Sequence, residues 1–181
     1  MIPIYLWRVP KIGPSSHGIL LANPEKEREK TTNHPTAMIA EFEIQGQDFK
    51  KAGEASFEIK NRLKLLGLPP GIIRRVATAA YEAELNVIVY AHKGTIRVCL
   101  EDQCVKVTIA DVGPGIPDIQ LAMKEGYTTA PPYVKQLGYG SGMGLPNIKK
   151  NSDWMDIQSE VNRGTTLRFK INLNESNKRD R

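Results

Sequence analysis

The chain has 181 residues, 40% of them hydrophobic and 25% charged, with two cysteines and a formal charge of +5. That length fits one domain of ordinary size, and the composition can bury a core, which excludes wholesale disorder. No apolar run reaches the roughly 18 residues of a membrane-spanning helix, and two cysteines without neighbouring histidines make neither a disulfide framework nor a zinc site.

The opening MIPIYLWRVPKIGPSS lacks the charged-then-apolar layout of a secretory signal, so a reducing, cytoplasmic location is expected. The charge is +2 over residues 1–37, +2 over 38–173 and +1 over 174–181. No basic stripe interleaves with aromatics, so neither nucleic acid nor a membrane is an expected partner. Residues 1–37, broken by Pro3, Pro10, Pro14, Pro24 and Pro35, read as an irregular or disordered arm. Regular patterning starts at Met38, which makes the arm a candidate extension upstream of a true start there. Residues 38–173 form the domain and 174–181 a polar tail.

Ala40–Ile44 alternates and predicts a strand. Phe49, Ala52, Ser56, Ile59, Leu63 and Leu66 recur at helical spacing and predict one amphipathic helix, ended by Gly67 and Pro69-Pro70. A second helix is expected from about Gly71 to Ala91. Thr95–Glu101 and Cys104–Val112 read as a hairpin. Residues 117–125 read as a short helix stopped by Gly126, followed by a Gly/Pro/Tyr-rich loop to Gly144 and a helix over Leu145–Ser152. Two last strands, Met155–Glu160 and Thr165–Leu173, flank the turn Asn162-Arg163-Gly164. Antiparallel pairs mixed with helices imply an α/β (α+β) two-layer sandwich, with one mixed, largely antiparallel sheet and helices on one face.

Four clusters can carry chemistry. Glu82 and Asn86 are four apart on the second helix and share a face, while Glu84 points elsewhere. Such a pair offers oxygen ligands for Mg²⁺ or a base for a hydroxyl, and equally describes a solvated polar face. Asp111-Val112-Gly113-Pro114-Gly115-Ile116 follows a strand; its glycines permit a sharp turn, and its aspartate can accept from an exocyclic amine. Gly140-Ser141-Gly142-Met143-Gly144-Leu145-Pro146 runs into a helix start, where free amides and the helix dipole suit phosphates. It matches neither the P-loop nor the dinucleotide fingerprint, and a flexible linker is its plain alternative. Gly164-Thr165-Thr166 opens the last strand and by itself reads as a turn.

In this order and spacing the four boxes resemble the ATP-binding signature of the GHKL superfamily, which groups gyrase, a heat-shock chaperone, histidine kinases and MutL. Over residues 39–173 the chain is most similar to the small anti-sigma-factor serine/threonine kinases and the stressosome switch kinases. The resemblance implies a Bergerat-type fold that binds ATP and Mg²⁺. It casts Glu82 as general base and Asn86 as metal ligand. Asp111 becomes the adenine-amine acceptor, in a box with Gly113, Gly115 and Ile116. Gly140, Gly142, Met143 and Gly144, continuing into Leu145, become the phosphate cradle. Thr165 or Thr166 supplies an adenine-side hydroxyl, and residues 126–139 form a mobile lid. The implied substrate is a STAS-domain partner of the anti-sigma-antagonist type, with a sigma factor or other regulator bound in exchange; a homodimer is compatible with it. No dimerisation helix bearing a phosphoacceptor histidine is read ahead of the domain, so a classical histidine kinase is not expected. The rival readings are a nucleotide-gated binding module without transfer and a plain ATPase. His92 reads as a helix-end cap and Lys93 as a solvated turn residue. Lys124 and Lys135 border the lid, Cys99 and Cys104 read as strand residues, and Tyr139 and Trp154 as packing residues.

Overall fold

The computed structural model describes residues 36–101 and 103–174. The arm read over residues 1–37, apart from its last two residues, lies outside the described residues, as does the tail beyond residue 174. In chain order the elements are β1 (Ala37–Gln45), a 3-10 turn at Phe49–Lys51, α1 (Glu54–Leu65), α2 (Pro70–Tyr90), β2 (Lys93–Glu101) and β3 (Cys104–Val112). Then follow α3 (Ile119–Ala122), α4 (Pro132–Gln136), α5 (Gly144–Asn151), β4 (Trp154–Glu160) and β5 (Gly164–Asn172). The five strands form one sheet in the order β1-β2-β3-β5-β4, and each of its four pairings is antiparallel.

Alternation along the strands divides the sheet into two unlike faces. Ile96 and Val98 on β2, Val105, Val107 and Ile109 on β3, and Leu167, Phe169 and Ile171 on β5 are buried under the helices. They meet Ile72, Val76, Ala79, Ala80, Ala83 and Val87 of α2, which is the apolar spine of the helical layer. The opposite face carries ion pairs between Arg97 and Glu41 (2.6 Å), Lys106 and Glu101 (2.9 Å), and Arg168 and Asp156 (3.2 Å). Pairs this exposed contribute little stability and mainly keep the face soluble. Trp154, which reads from sequence as a packing residue, lies here half exposed, with the Lys170 ammonium 5.9 Å from its ring centre.

The single helix expected from Phe49 to Leu66 is two elements. Gly53 takes a left-handed conformation (φ 95°) that breaks the run, and α1 begins at Glu54. Glu84 explains the break. Its carboxylate is buried and accepts from the backbone N–H groups of Gly53 (3.1 Å), Ala55 (3.1 Å) and Ser56 (2.9 Å). The residue that points away from Glu82 and Asn86 thus caps α1 from 28 or more positions downstream. Free N–H groups and the helix dipole together neutralise the buried charge.

The loop expected up to Gly144 also contains structure, the short helix α4, opened by Pro131 and Pro132. Val134 of α4 is fully buried with Val89 and Ala130 in a second, smaller apolar cluster flanked by Phe49, Tyr90 and Tyr139. Tyr139 stacks on Phe49 at 5.7 Å between ring centres, and Tyr133 donates to Gln47 Oε1 at 2.7 Å.

Replacing Glu84 by alanine leaves three N–H donors without their acceptor. The expected loss is on the order of 3 kcal/mol, since each buried donor left unsatisfied costs about 1–3 kcal/mol. Glu84→Gln, which keeps one acceptor oxygen, should lose less. Denaturant unfolding of the two variants checks the order.

Candidate functional site

The site is set by how α2 crosses α5. Arg75 donates to the Asn151 carbonyl (3.1 Å) and to Asp153 (2.8 Å), Glu82 accepts from Asn147 (2.6 Å), and Asn86 faces Gly144. Position numbers rise along one helix as they fall along the other, so the two run antiparallel. A Cβ at Gly144 would stand 3.1 Å from Asn86 Oδ1 and 3.6 Å from Glu82 Oε2. The glycine end of α5 therefore opens directly onto the carboxylate and carboxamide of α2.

A cavity of about 580 Å³ occupies the space between them. Glu82, Asn86, Asp111, Gly115, Ile116, Gly140, Gly142, Gly144, Leu145 and Thr165 all line it, so the structure brings together most of the residues singled out from sequence. Three do not line it. Gly113 is buried behind Asp111, where a Cβ would stand 3.0 Å from Ala91 Cα; it lets the end of β3 approach the end of α2. Met143 caps α5, and its carbonyl accepts from Asn147 N at 2.8 Å. Thr166 lies on the opposite sheet face from Leu167, because the pleat sends Thr165 and Thr166 to different sides. Of the two threonines, Thr165 is the one in the cavity.

At the sheet end of the cavity Asp111 Oδ1 accepts from Thr165 N at 3.1 Å, above a floor of Ile109, Ile157 and Leu167. Asp111 is half-buried, and that burial holds its carboxyl above the usual carboxylate range, with the Thr165 N–H pulling the other way. Gly115 is left-handed (φ 69°) and packs so closely on the Glu160 carbonyl that a side chain has no room. Ser159, which sequence reasoning did not single out, ties this corner together. Its hydroxyl accepts from Ile116 N (2.8 Å), contacts Gly164 O (3.1 Å) and meets the Thr165 hydroxyl at 2.8 Å.

At the other end, Tyr127, Thr128, Thr129, Gly138 and Tyr139 of the segment 126–139 line the cavity. The base of that segment is pinned where Gly126 N donates to the Gly142 carbonyl at 3.1 Å, and Gly142 is left-handed (φ 77°) to permit that approach. Tyr90 of α2 meets the Thr128 hydroxyl at 3.0 Å. Gln47 donates from its side chain to the carbonyls of Ile88 (3.2 Å) and Val89 (3.0 Å) and so anchors the same seat. His92, Lys93, Lys124 and Lys135 are exposed, and none lines the cavity. The cysteines sit in the β2–β3 hairpin, Cys99 opposite Lys106 and Cys104 opposite Glu101.

The raised carboxyl of Asp111 has a sign for stability. Between the ordinary and the raised range the folded chain keeps a proton that the unfolded chain releases, so stability falls as pH climbs through that window. Asp111→Asn keeps an acceptor for Thr165 N. It should raise the ligand-free melting temperature at neutral pH, with the gain vanishing below about pH 4, where an unfolded aspartate is itself protonated. Melting curves across pH measure this.

Comparison with known proteins bears on the family and the fold. Residues 71–175 match the family described as histidine kinase-, DNA gyrase B-, and HSP90-like ATPase. The anti-sigma F factor of Geobacillus kaustophilus (strain HTA426) is 33% identical over 110 residues, covering 58% of this chain and 72% of that protein. The serine/threonine-protein kinase RsbT of Bacillus subtilis (strain 168) is 33% identical over 112 residues, covering 60% of this chain and 78% of that protein. Among solved structures, a chain in the SiaB-SiaC complex from Pseudomonas aeruginosa shares the fold, with a TM-score of 0.54 at 17% identity over 74% of this chain and 89% of that one. With a match across more than half its length and these relatives, the chain belongs to the histidine kinase-, gyrase B- and HSP90-like (GHKL) ATPase family.

Proposed function

We propose that this protein is an ATP-dependent serine/threonine protein kinase of the anti-sigma-factor and switch-kinase type. It acts in the cytoplasm, phosphorylates a STAS-domain regulatory partner, and holds a sigma factor or other regulator in exchange. The observation that carries this reading is a single crevice in which Glu82 and Asn86 face the glycine end of α5, with Asp111 at its far end. Relatives that include an anti-sigma F factor and a serine/threonine kinase support it. No helix among the described residues is long and apolar enough to cross a membrane.

The residues present fit a magnesium nucleotide. The volume lies within the roughly 300–1,000 Å³ of small-molecule sites. An apolar floor beside a carboxylate suits a purine with an exocyclic amine. Glycine amides and the space that a side chain at position 144 would fill suit phosphates. Asn86 would hold Mg²⁺ through its carboxamide oxygen, and the ion, when bound, neutralises phosphate charge.

Glu82 takes the proton of the partner's serine hydroxyl. That oxygen bonds to the γ-phosphorus as the bond to the bridging oxygen breaks, and ADP leaves with the electron pair. The amides of Gly140, Gly142 and Gly144, which line the cavity, orient the phosphates, and Thr165 supports Asp111 at the base. The lid excludes water over the reacting groups.

A second reading, a nucleotide-gated partner switch without transfer, is favoured by one feature. The lid has its own apolar seat at Val89, Ala130 and Val134, so its order can respond to a ligand separately from the sheet. Phosphate on the partner separates the two readings. With labelled ATP and a cognate STAS protein, Glu82→Ala should lose about 10²–10⁴-fold in transfer, the range of general-base catalysis, and keep its ATP affinity. Transfer undiminished in that variant defeats the base assignment, and ATP-dependent complex formation with no transfer by the wild type selects the switch. Calorimetry should show Asn86→Ala losing mainly the magnesium dependence of binding. It should show Asp111→Asn binding ATP more weakly by about 1.5–3 kcal/mol, the worth of a hydrogen bond to a charged group.

A further inference from the structure

We propose that Asn147 is the positioning residue of Glu82: its carboxamide fixes one carboxylate oxygen so that the other faces the entrance of α5. This rests on the kinase reading of the same site. Asn147 Nδ2 donates to Glu82 Oε1 at 2.6 Å, and among the described residues no other donor is seen on that carboxylate. Oε2 is turned the other way, 3.6 Å from where a Cβ on Gly144 would stand. The two oxygens are therefore unlike: one is held by the protein, and one is presented to the space between α2 and the glycine loop.

The donor is also rigidly tied to that loop. Asn147 N donates to the Met143 carbonyl at 2.8 Å, and the Asn147 carbonyl accepts from Asn151 at 2.9 Å. Gly144 and Asn147 thus ride on one helical turn. The amides that face the phosphates and the amide that orients the base keep a fixed relation, whatever small adjustment α5 makes.

Docking α5 does not need this bond. Arg75 already holds the far end of the helix through Asn151 and Asp153, and Ile148 is fully buried in the core. Glutamate has three rotatable side-chain bonds, and phosphoryl transfer depends chiefly on alignment, so a fixed Oε1 acts on rate. As the partner's hydroxyl oxygen bonds to the γ-phosphorus and the bridging bond breaks onto ADP, the hydroxyl proton passes to Oε2. Oε1 stays hydrogen-bonded to Asn147 throughout.

The test uses the full chain with three variants, Asn147→Ala, Asn147→Asp and Glu82→Ala, and the double variant of the first and last. Asn147→Ala should lower kcat for transfer about 10- to 100-fold, while KM for ATP and calorimetric Mg·ATP affinity change less than about threefold. Asn147→Asp keeps the shape, removes the donor and sets a like charge on Glu82, and should lose at least as much. In the Glu82→Ala background, Asn147→Ala should cost nothing more, because the two residues act as one unit. Independently of activity, one side-chain amide proton of Asn147 should resonate downfield in the wild type and return to the ordinary position in Glu82→Ala. An unchanged kcat in Asn147→Ala, additive losses in the double variant, or an Asn147 amide signal indifferent to Glu82 would each overturn the positioning role alone. No transfer by the wild type, with the amide signature present, would overturn the kinase reading and the positioning role together, leaving the contact as a structural one.

Discussion

The antiparallel crossing of α2 and α5 is the contact on which the chemistry of this fold depends. Its two ends are fixed by different forces. Arg75 clamps the C-terminal end of α5 through a carbonyl and a carboxylate, and Ile148, with no exposed surface, anchors the middle in the main core. Burying such a side chain stabilises by about 1.5–3 kcal/mol, several times an exposed ion pair. With that end locked, the N-terminus of α5 has one place to go, against Asn86 and Glu82. Only glycine at 144 leaves room there for anything else.

The polar residues of α2 show how one helix serves two purposes. Glu82 and Asn86 are separated by about 40° around the axis, while Glu84 points some 200° away from Glu82. Glu84 is spent on structure, saturated by the first turn of α1. Asp111 is the opposite case, a carboxyl held half-buried at a cost to the fold. Among the described residues no buried side-chain polar atom lacks a partner, so the unfavourable electrostatics are concentrated where a ligand can use them.

Much of this was legible in the sequence because the relevant signals are local. The strands show through alternation, and the boundaries of α2 and the β2–β3 hairpin fall within a residue or two of their expected places. Glu82 and Asn86 announce a shared face by spacing alone. The break at Gly53 was hidden because Phe49, Ala52 and Ser56 keep helical spacing straight through it; the decisive partner, Glu84, lies far along the chain. Helix α4 has five residues, too few to show a period, although Pro131-Pro132 is a start signal that could have marked it. Asn147 reaches Glu82 across 65 positions, and Ser159 joins Ile116, 43 positions away, to its near neighbours Gly164 and Thr165; no local pattern reports the distant pairings.

The lid's separate apolar cluster bears on how such a protein can diverge. Val134, Ala130 and Tyr139 make their contacts with the top of α2 and the β1–α1 connection, not with the buried face of the sheet. Insertions, deletions or a changed surface between Gly126 and Tyr139 are therefore insulated from the scaffold that holds Asp111. Lineages are free to rewrite this rim while inheriting the sheet and the α2–α5 crossing intact.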